Sequence, residues 1–108
     1  MLNGLGGLGG LGDMAKMMKA ATEMQAKYAE LQQELAQIHV LGESGGGLVK
    51  VRASAKGIVK KVIIDPSILV DAEATVVEDL ILAAIKDAQL QGRSRTKKRM
   101  AQLAEEMG

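Results

Sequence analysis

The chain of 108 residues has no cysteine, phenylalanine or tryptophan, and its only histidine is His39. The absence of cysteine excludes disulfides, thiolate zinc sites and a cysteine nucleophile. A single histidine excludes a metal site built from several histidines of one chain, so we expect neither a metal nor another cofactor. Tyr28 is the only aromatic residue, so the chain also lacks the rings on which single-strand and RNA-binding modules stack bases.

Long hydrophobic runs are also missing. No run approaches the roughly 18 apolar residues of a membrane-spanning helix. The N-terminus lacks the basic region and continuous apolar stretch of a secretory signal. We therefore expect a cytoplasmic protein with no membrane partner.

The residues that are abundant are aliphatic: 47% of the chain is hydrophobic and seven residues are methionine. The core must be built from Leu, Ile, Val, Met and Ala. A single domain of this length buries only about two-thirds of the surface that its unfolded chain exposes, and without aromatic side chains each buried residue contributes less. We therefore predict that a partner chain supplies part of the stability.

Residues 1–12 form a low-complexity tract with six glycines. Because glycine loses much backbone entropy on ordering, this tract is predicted to be a flexible tail, followed by a single domain over residues 13–108. The tract contains the spacing Gly-x-Gly-x-x-Gly, but this fingerprint binds dinucleotides only between a strand and a helix. No strand can precede it here, so the match is accidental.

A long amphipathic helix is predicted after Asp13, which is a suitable N-cap residue. The apolar residues behind it repeat with the alternating spacing of three and four that defines a heptad seam. Such a seam predicts a helix packed on another helix, either within the chain or across a dimer. The seam consists of Met14, Met17, Ala21, Met24, Tyr28, Leu31, Leu35 and Ile38.

The periodicity changes near Ile38, and residues 38–41 either end the helix or begin a strand. Residues 49–53 alternate and residues 58–64 are rich in β-branched side chains, so the two segments predict a hairpin with a turn at 55–57. Residues 38–44 are a candidate third strand. The glycines at 45–47 are not followed by the Lys and Ser or Thr of a phosphate-binding loop, and a strand junction or bulge accounts for them.

The C-terminal part is predicted to be helical. Asp65-Pro66-Ser67 ends the last strand and is followed by a short loop or helical turn. The next helix is predicted to begin between Asp71 and Thr75, because Thr75-x-x-Glu78 matches a capping box. Its buried face comprises Val77, Leu80, Ile81, Ala84 and Ala88, and Gly92 interrupts the pattern before a further segment at 93–106.

The net charge of +1 conceals three segregated blocks. Residues 50–61 hold five basic residues and no acid, residues 65–79 hold five acids and no base, and residues 93–99 hold five basic residues and no acid. Mutual neutralisation within the fold is the simplest explanation for the first two. The third block either forms a solvated tail or binds a polyanion, because Lys and Arg that reach phosphates give salt-sensitive binding with little sequence preference.

Four features follow one another along the chain: the Met-rich heptad helix, G-E-S-G-G-G-L-V-K-V at 42–51, I-D-P-S at 64–67 and E-D-L-I-L-A-A at 78–84. In this order and spacing they strongly resemble the YbaB/EbfC family of bacterial nucleoid-associated proteins. The resemblance extends from about Asp13 to Met107, which is nearly the whole chain.

The resemblance implies an α+β fold with a long N-terminal helix, a three-stranded antiparallel sheet and C-terminal helices (α-β-β-β-α-α), assembled as a tweezer-like homodimer. It implies a nucleoid-associated protein that binds double-stranded DNA and alters its conformation, with roles in nucleoid organisation, gene regulation and DNA protection. Basic residues of the first and last helices are the implied DNA contacts. In this chain they are Lys16, Lys19, Lys27, Arg93, Arg95, Lys97, Lys98 and Arg99.

The leading hypothesis is therefore a non-enzymatic homodimer in the cytoplasm, associated with the nucleoid, that holds DNA mainly by its phosphates. Few side chains suit base recognition: Gln89, Gln91 and Gln102 are the candidates, so at most a weak sequence preference is expected. Whether the strand cations Lys50, Arg52 and Lys60 contribute is left open.

Two other hypotheses belong to different classes. The first is a homodimeric protein-interaction module whose exposed Met and Leu stripes dock partner helices. The second is a small hydrolase that uses His39 with an acid such as Asp65, although no motif supports it. No catalytic residue and no small-molecule substrate is expected.

Overall fold

The structure, a computed structural model, describes residues 7–107 of the chain. Three helices and three strands follow one another in the order α-β-β-β-α-α, so the predicted α+β fold is confirmed. Their bounds are α1 Gly7–Gln37, β1 His39–Ser44, β2 Val49–Ser54, β3 Val59–Ile64, α2 Pro66–Asp71 and α3 Ala74–Met107.

Helix α1 begins at Gly7, six residues before the Asp13 that the sequence predicts as its N-cap. The predicted flexible tail therefore falls partly outside the described residues (1–6), and its remainder (7–12) is helical. Of the described residues, those up to Gln33 form one compact unit and those from Glu34 onward form a second. In the first unit, all residues from 10 to 30 are exposed, including the methionines of the heptad seam.

The three strands form one antiparallel sheet in the order β1-β2-β3, so the candidate third strand is confirmed. Because successive side chains of a strand point to opposite faces, Val49, Val51 and Ala53 of β2 share the face that is buried. Lys50 and Arg52 lie on the other face. Between β1 and β2, the glycines Gly45–Gly47 form a 3₁₀ turn with positive φ at all three positions, a backbone that favours glycine.

Helix α3 covers the buried face of the sheet over β1 and β2. The core consists of Val40, Val49, Val51, Ala53, Ile68, Ala84 and Ala88, with Val77, Leu80 and Ile81 packed against it. The face of the last helix that the sequence predicts to be buried is therefore confirmed. Strand β3 is not covered in this way: Val59–Ile63 are exposed and only Ile64 is half-buried.

Local hydrogen bonds mark the starts of α2 and α3. The Asp65 carboxylate caps α2 by accepting a hydrogen bond of 2.9 Å from the Ser67 N–H, and hydrogen bonds from the Ser67 side chain and backbone lower the pKa of Asp65 below its ordinary value. Helix α3 begins at Ala74, so Thr75 lies inside the first turn and is not its cap, and the Glu73 carbonyl accepts the first bonds.

Helix α3 runs without interruption through Gly92, where the sequence predicts a break. A glycine inside a helix costs about 1 kcal/mol relative to alanine, which tertiary packing offsets here. No helix within residues 7–107 is long and apolar enough to cross a membrane.

Candidate functional site

The basic block at 93–99 lies on the second half of α3. Four of its five cations are exposed, and Arg99 is half-buried. Because a helix turns about 100° per residue, these side chains point to more than one side of α3. They divide into Arg95, Lys98 and Arg99 on one flank and Arg93 on the other, with Lys97 one helical turn from Arg93 and on the same side.

The first group lines an open depression of about 420 Å³ between α3 and the start of β1. Arg95, Lys98, Arg99 and Gln102 lie along one side of α3 at the spacing i, i+3, i+4, i+7 that places residues on one helix face. Ile38 forms the opposite wall. Three cations and one amide around an open depression suit an anionic ligand.

Arg99 differs from its neighbours because carboxylates already hold its guanidinium. Its Nε donates to Oε2 of Glu34 at 2.6 Å, and its Nη1 lies 3.8 Å from Oε1 of Glu106. The hydrogen bond to Glu34 raises the pKa of Arg99 above its ordinary value, and the negative charges of Glu34 and Glu106 raise it as well. Arg99 thus joins α3 to the end of α1 at Glu34, and only part of its donor capacity faces solvent.

Arg93 lines a second depression, of about 290 Å³, together with Ala55, Lys56, Gly57 and Gln89. Lys56 lies on the turn between β2 and β3 and is exposed. The sequence pattern does not indicate this lysine as part of the binding surface. No sequence signal joins it to Arg93, because the two residues are 37 positions apart and only the packing of the turn on α3 brings them to one depression.

The three α1 lysines belong to the other compact unit, and all are exposed. Lys16, Lys19 and Lys27 fall on one side of their helix by spacing. Glu23 lies on the same side, one turn from Lys19 and one turn from Lys27. The positive potential along this face is therefore weaker than that of residues 93–99.

Lys50, Arg52 and Lys61 lie on the face of the sheet opposite α3, and Lys60 is exposed at the irregularity in the register of β2 and β3. The register places Arg52 directly beside Lys61, and Lys50 between Glu43 and Ile63. Among the side chains of residues 10–106, the ion pairs found are those of Arg99, and none joins the basic block at 50–61 to the acidic block at 65–79. No ion pair among these described residues therefore supports the neutralisation that the sequence predicts for the two blocks, which stays a prediction.

Two of the three glutamines that the sequence offers for base contacts are engaged in the fold. Gln89 Nε2 donates to the Gly57 carbonyl at 3.3 Å, and Gln91 Nε2 donates to the Leu41 carbonyl at 2.8 Å. Gln102, in the first depression, is the one that lies beside the cations. The capacity of this surface to read bases is therefore small.

The geometry does not support a hydrolase that pairs His39 with Asp65. His39 pairs with Ser54 at one end of the sheet, whereas Asp65 follows Ile64, which pairs with Val49 at the other end. Five residue steps along a strand correspond to about 17 Å, and the Asp65 carboxylate caps α2. Within residues 7–107, no group of three His, Cys, Asp or Glu residues is arranged to hold a metal ion.

The chain is similar to proteins of one known family. The model of the YbaB/EbfC DNA-binding family matches residues 10–107. A nucleoid-associated protein of Rhodopseudomonas palustris (strain HaA2) is 46% identical over 91 residues, which are 84% of this chain and 86% of the relative. A nucleoid-associated protein of Agrobacterium fabrum is 42% identical over 86 residues, which are 80% of each protein.

A solved structure resembles the fold. The crystal structure of an uncharacterized protein from Helicobacter pylori aligns with a TM-score of 0.65, covering 86% of this chain and 94% of that one, at 22% sequence identity. At this identity the similarity concerns the fold alone.

Proposed function

The chain belongs to the YbaB/EbfC DNA-binding family, and from this premise we propose that it is a nucleoid-associated protein that binds double-stranded DNA as a homodimer, mainly through phosphate contacts. The observation that carries the proposal is the second half of α3, where four exposed cations and Arg99 lie within seven residues. By altering the conformation of the DNA it holds, the protein contributes to nucleoid organisation, gene regulation and DNA protection.

The cationic groups favour phosphate contact over base recognition. Lys and Arg reach phosphate oxygens without regard to sequence, and each phosphate neutralised adds to a salt-dependent affinity. The engagement of Gln89 and Gln91 within the fold supports a weak sequence preference. Arg93, Arg95, Lys97, Lys98 and Arg99 form the main contact surface, and Lys16, Lys19 and Lys27 add a weaker one.

Uncovered apolar surfaces support the homodimer. The heptad seam of α1 exposes Met14, Met17, Met24 and Tyr28, and β3 exposes Val59, Val62 and Ile63. A heptad seam packs by inserting its side chains between those of a second helix, and two copies of one seam are complementary to each other. A second copy of this chain is therefore the proposed occupant of these surfaces.

The test measures binding of a fluorescent duplex by anisotropy over a salt series, on protein whose mass is determined by light scattering. We expect the logarithm of the association constant to fall linearly with the logarithm of salt concentration. The slope is expected to be about −0.9 for each phosphate neutralised. Duplexes of unrelated sequence are expected to bind with similar affinity. Salt-independent binding contradicts the phosphate mechanism, and a monomeric mass contradicts the homodimer.

A matched pair of variants locates the surface. The first replaces Arg93, Arg95, Lys97 and Lys98 by Gln and keeps Arg99, whose contact with Glu34 is part of the fold. The second replaces Lys50, Arg52, Lys60 and Lys61 by Gln and removes the same charge from the strands. We expect the first variant to lose binding while remaining dimeric and the second to retain most of it. Equal losses contradict the assignment to α3.

The exposed methionines of α1 also favour the second candidate function, a protein-interaction module, because methionine side chains adapt to varied partner helices. Pull-down with and without nuclease separates the two functions. Partners that are lost after nuclease treatment indicate DNA binding, and partners that remain indicate the interaction module.

A further inference from the structure

The turn between β2 and β3 is packed tightly on α3 at Gly92. A Cβ at this position would lie 2.8 Å from the Ala55 carbonyl oxygen, closer than real Cβ atoms approach. The turn backbone therefore occupies the space that any other residue would fill. This contact explains the glycine that interrupts the sequence pattern of the helix.

Hydrogen bonds hold the turn in place on both sides of Lys56. The Ala55 carbonyl accepts from the Thr96 hydroxyl at 3.1 Å, and the Gly57 carbonyl accepts from Gln89 Nε2 at 3.3 Å. The Ala55 N–H also donates to the Ile38 carbonyl at 2.8 Å. The residues before and after Lys56 are thus fixed to their surroundings, and the position of its backbone is set before any ligand binds.

This packing places two cations at one depression. Lys56 and Arg93 are both exposed, and the other lining residues, Ala55, Gly57 and Gln89, carry no charge. Because no acid is among these five, the depression has a formal charge of +2. Two cations of this kind repel each other and are stabilised together when an anion lies between them.

We propose that Lys56 and Arg93 form a phosphate-binding site that takes one backbone phosphodiester of duplex DNA. The site extends the binding surface from α3 onto the β2–β3 turn and rests on the proposed function. The fixed backbone on both sides of Lys56 reduces the entropy lost on binding. Arg93 supplies a planar donor group that matches two phosphate oxygens, and Lys56 supplies a compact charge.

The experiment compares the full-length protein with Lys56→Gln, Arg93→Gln and the double variant, each titrated with one duplex over a salt series. Both side chains are exposed, so the variants are expected to fold. Each single variant is expected to bind about tenfold more weakly, the loss of one charge-assisted contact. The double variant is expected to lose less than the product of the two single losses, because both cations hold the same phosphate.

The salt dependence gives a second readout. The double variant is expected to reduce the slope of the log–log plot by about 0.9, which corresponds to one phosphate. If the double variant reduces the slope by about 1.8, the value for two phosphates, and its loss of affinity equals the product of the two single losses, the two cations do not share one phosphate and the proposal is overturned.

Lys61→Gln is the control, because it removes one exposed cation from the opposite face of the sheet, where Lys61 pairs with Arg52. It is expected to bind within about twofold of the wild type. If Lys61→Gln loses as much affinity as Lys56→Gln, the effect is due to net charge and the proposed site is overturned. Wild-type affinity in Lys56→Gln overturns the site alone, whereas failure of the wild-type protein to bind duplex at low salt overturns the proposed function and the site together.

Discussion

At the scale of single residues, two glycines mark positions where another backbone approaches. Gly92 of α3 accommodates the Ala55 carbonyl, and Gly42 of β1 faces the backbone of α3. A Cβ at Gly42 would overlap the Ala84 carbonyl oxygen and the Ala88 N–H, and neither can move without bending the helix. At both positions the missing side chain permits α3 to lie close to the sheet.

Gly42→Ala is therefore expected to destabilise the protein, although alanine is ordinarily tolerated in a strand. Overpacking a core usually costs about 1–3 kcal/mol, and the upper part of this range is expected because the clash is with backbone. Urea unfolding followed by circular dichroism measures the change.

Gly12→Ala is the control for Gly42→Ala, since a Cβ at this exposed helical position meets nothing within 4 Å. It is expected to leave the stability unchanged or to raise it by up to about 1 kcal/mol through helix propensity. An unfolding free energy of Gly42→Ala equal to that of the wild type would contradict the close packing.

At the scale of elements, α3 both completes the sheet and presents the cations. Its side chains bond to the backbone of β1: Gln91 donates to the Leu41 carbonyl, and the Asp87 carboxylate accepts from the Glu43 N–H at 2.9 Å. Within residues 7–107, no comparable side-chain contact reaches the outer edge of β3. One edge of the sheet is thus bonded to side chains of the last helix, whereas the residues of β3 at the other edge are exposed.

The contact between Glu34 and Arg99 couples the end of α1 to the cationic half of α3. In the proposed complex with DNA, a phosphate and the Glu34 carboxylate compete for the same guanidinium. Glu34→Gln is therefore expected to raise the affinity for duplex DNA about two- to fivefold, the range of a partly exposed ion pair. Fluorescence anisotropy at constant salt measures it.

Glu30→Gln is the control, because it removes the same charge one helical turn earlier, at an exposed position. An equal gain in both variants would assign the effect to net charge instead of to release of Arg99. Unchanged affinity in Glu34→Gln would show that Arg99 serves the fold only.

At the scale of the whole molecule, the chain leaves much apolar surface uncovered for a protein of 11.4 kDa. Met17 and Met18 are adjacent on α1 and almost equally exposed, at 71% and 69%. Only Met17 belongs to the heptad seam. Substitutions of the two methionines therefore distinguish packing of the seam against a second helix from a general effect of changing an exposed methionine.

Met17→Glu is expected to weaken dimerisation about tenfold or more. Burial of a methionine side chain contributes about 1.5–3 kcal/mol, and a charged side chain in the seam opposes association of the two helices. Met18→Glu is expected to leave the dimer unchanged. Light scattering over a dilution series gives both dissociation constants. Equal effects of the two substitutions, or none, would contradict a helix-to-helix interface along the seam.

Much of the fold follows from local patterns. The 3.6-residue and 2-residue periodicities predict α1, the hairpin and the buried face of α3, because each depends on neighbours within a few positions. The cations of residues 93–99 are evident from the segregation of charge along the chain, and their assignment to DNA binding follows from the resemblance to the family. The continuity of α3 through Gly92 does not follow from local patterns, because glycine indicates a break locally whereas the packing of the helix on Ala55 requires a glycine there. The start of α1 at Gly7 also departs from the local glycine signal, and no contact at Gly12 explains it.

By itself, the sequence determined the element order, the absence of cysteine chemistry, the segregation of charge and the resemblance to a DNA-binding family. Only the tertiary structure decided that Lys56 of the β2–β3 turn shares a depression with Arg93, and that Arg99 is already held by Glu34. It also decided that Gln89 and Gln91 serve the fold. The physical reason is that a sequence pattern reports neighbours along the chain, whereas a binding surface joins residues that packing brings together from 37 or more positions away.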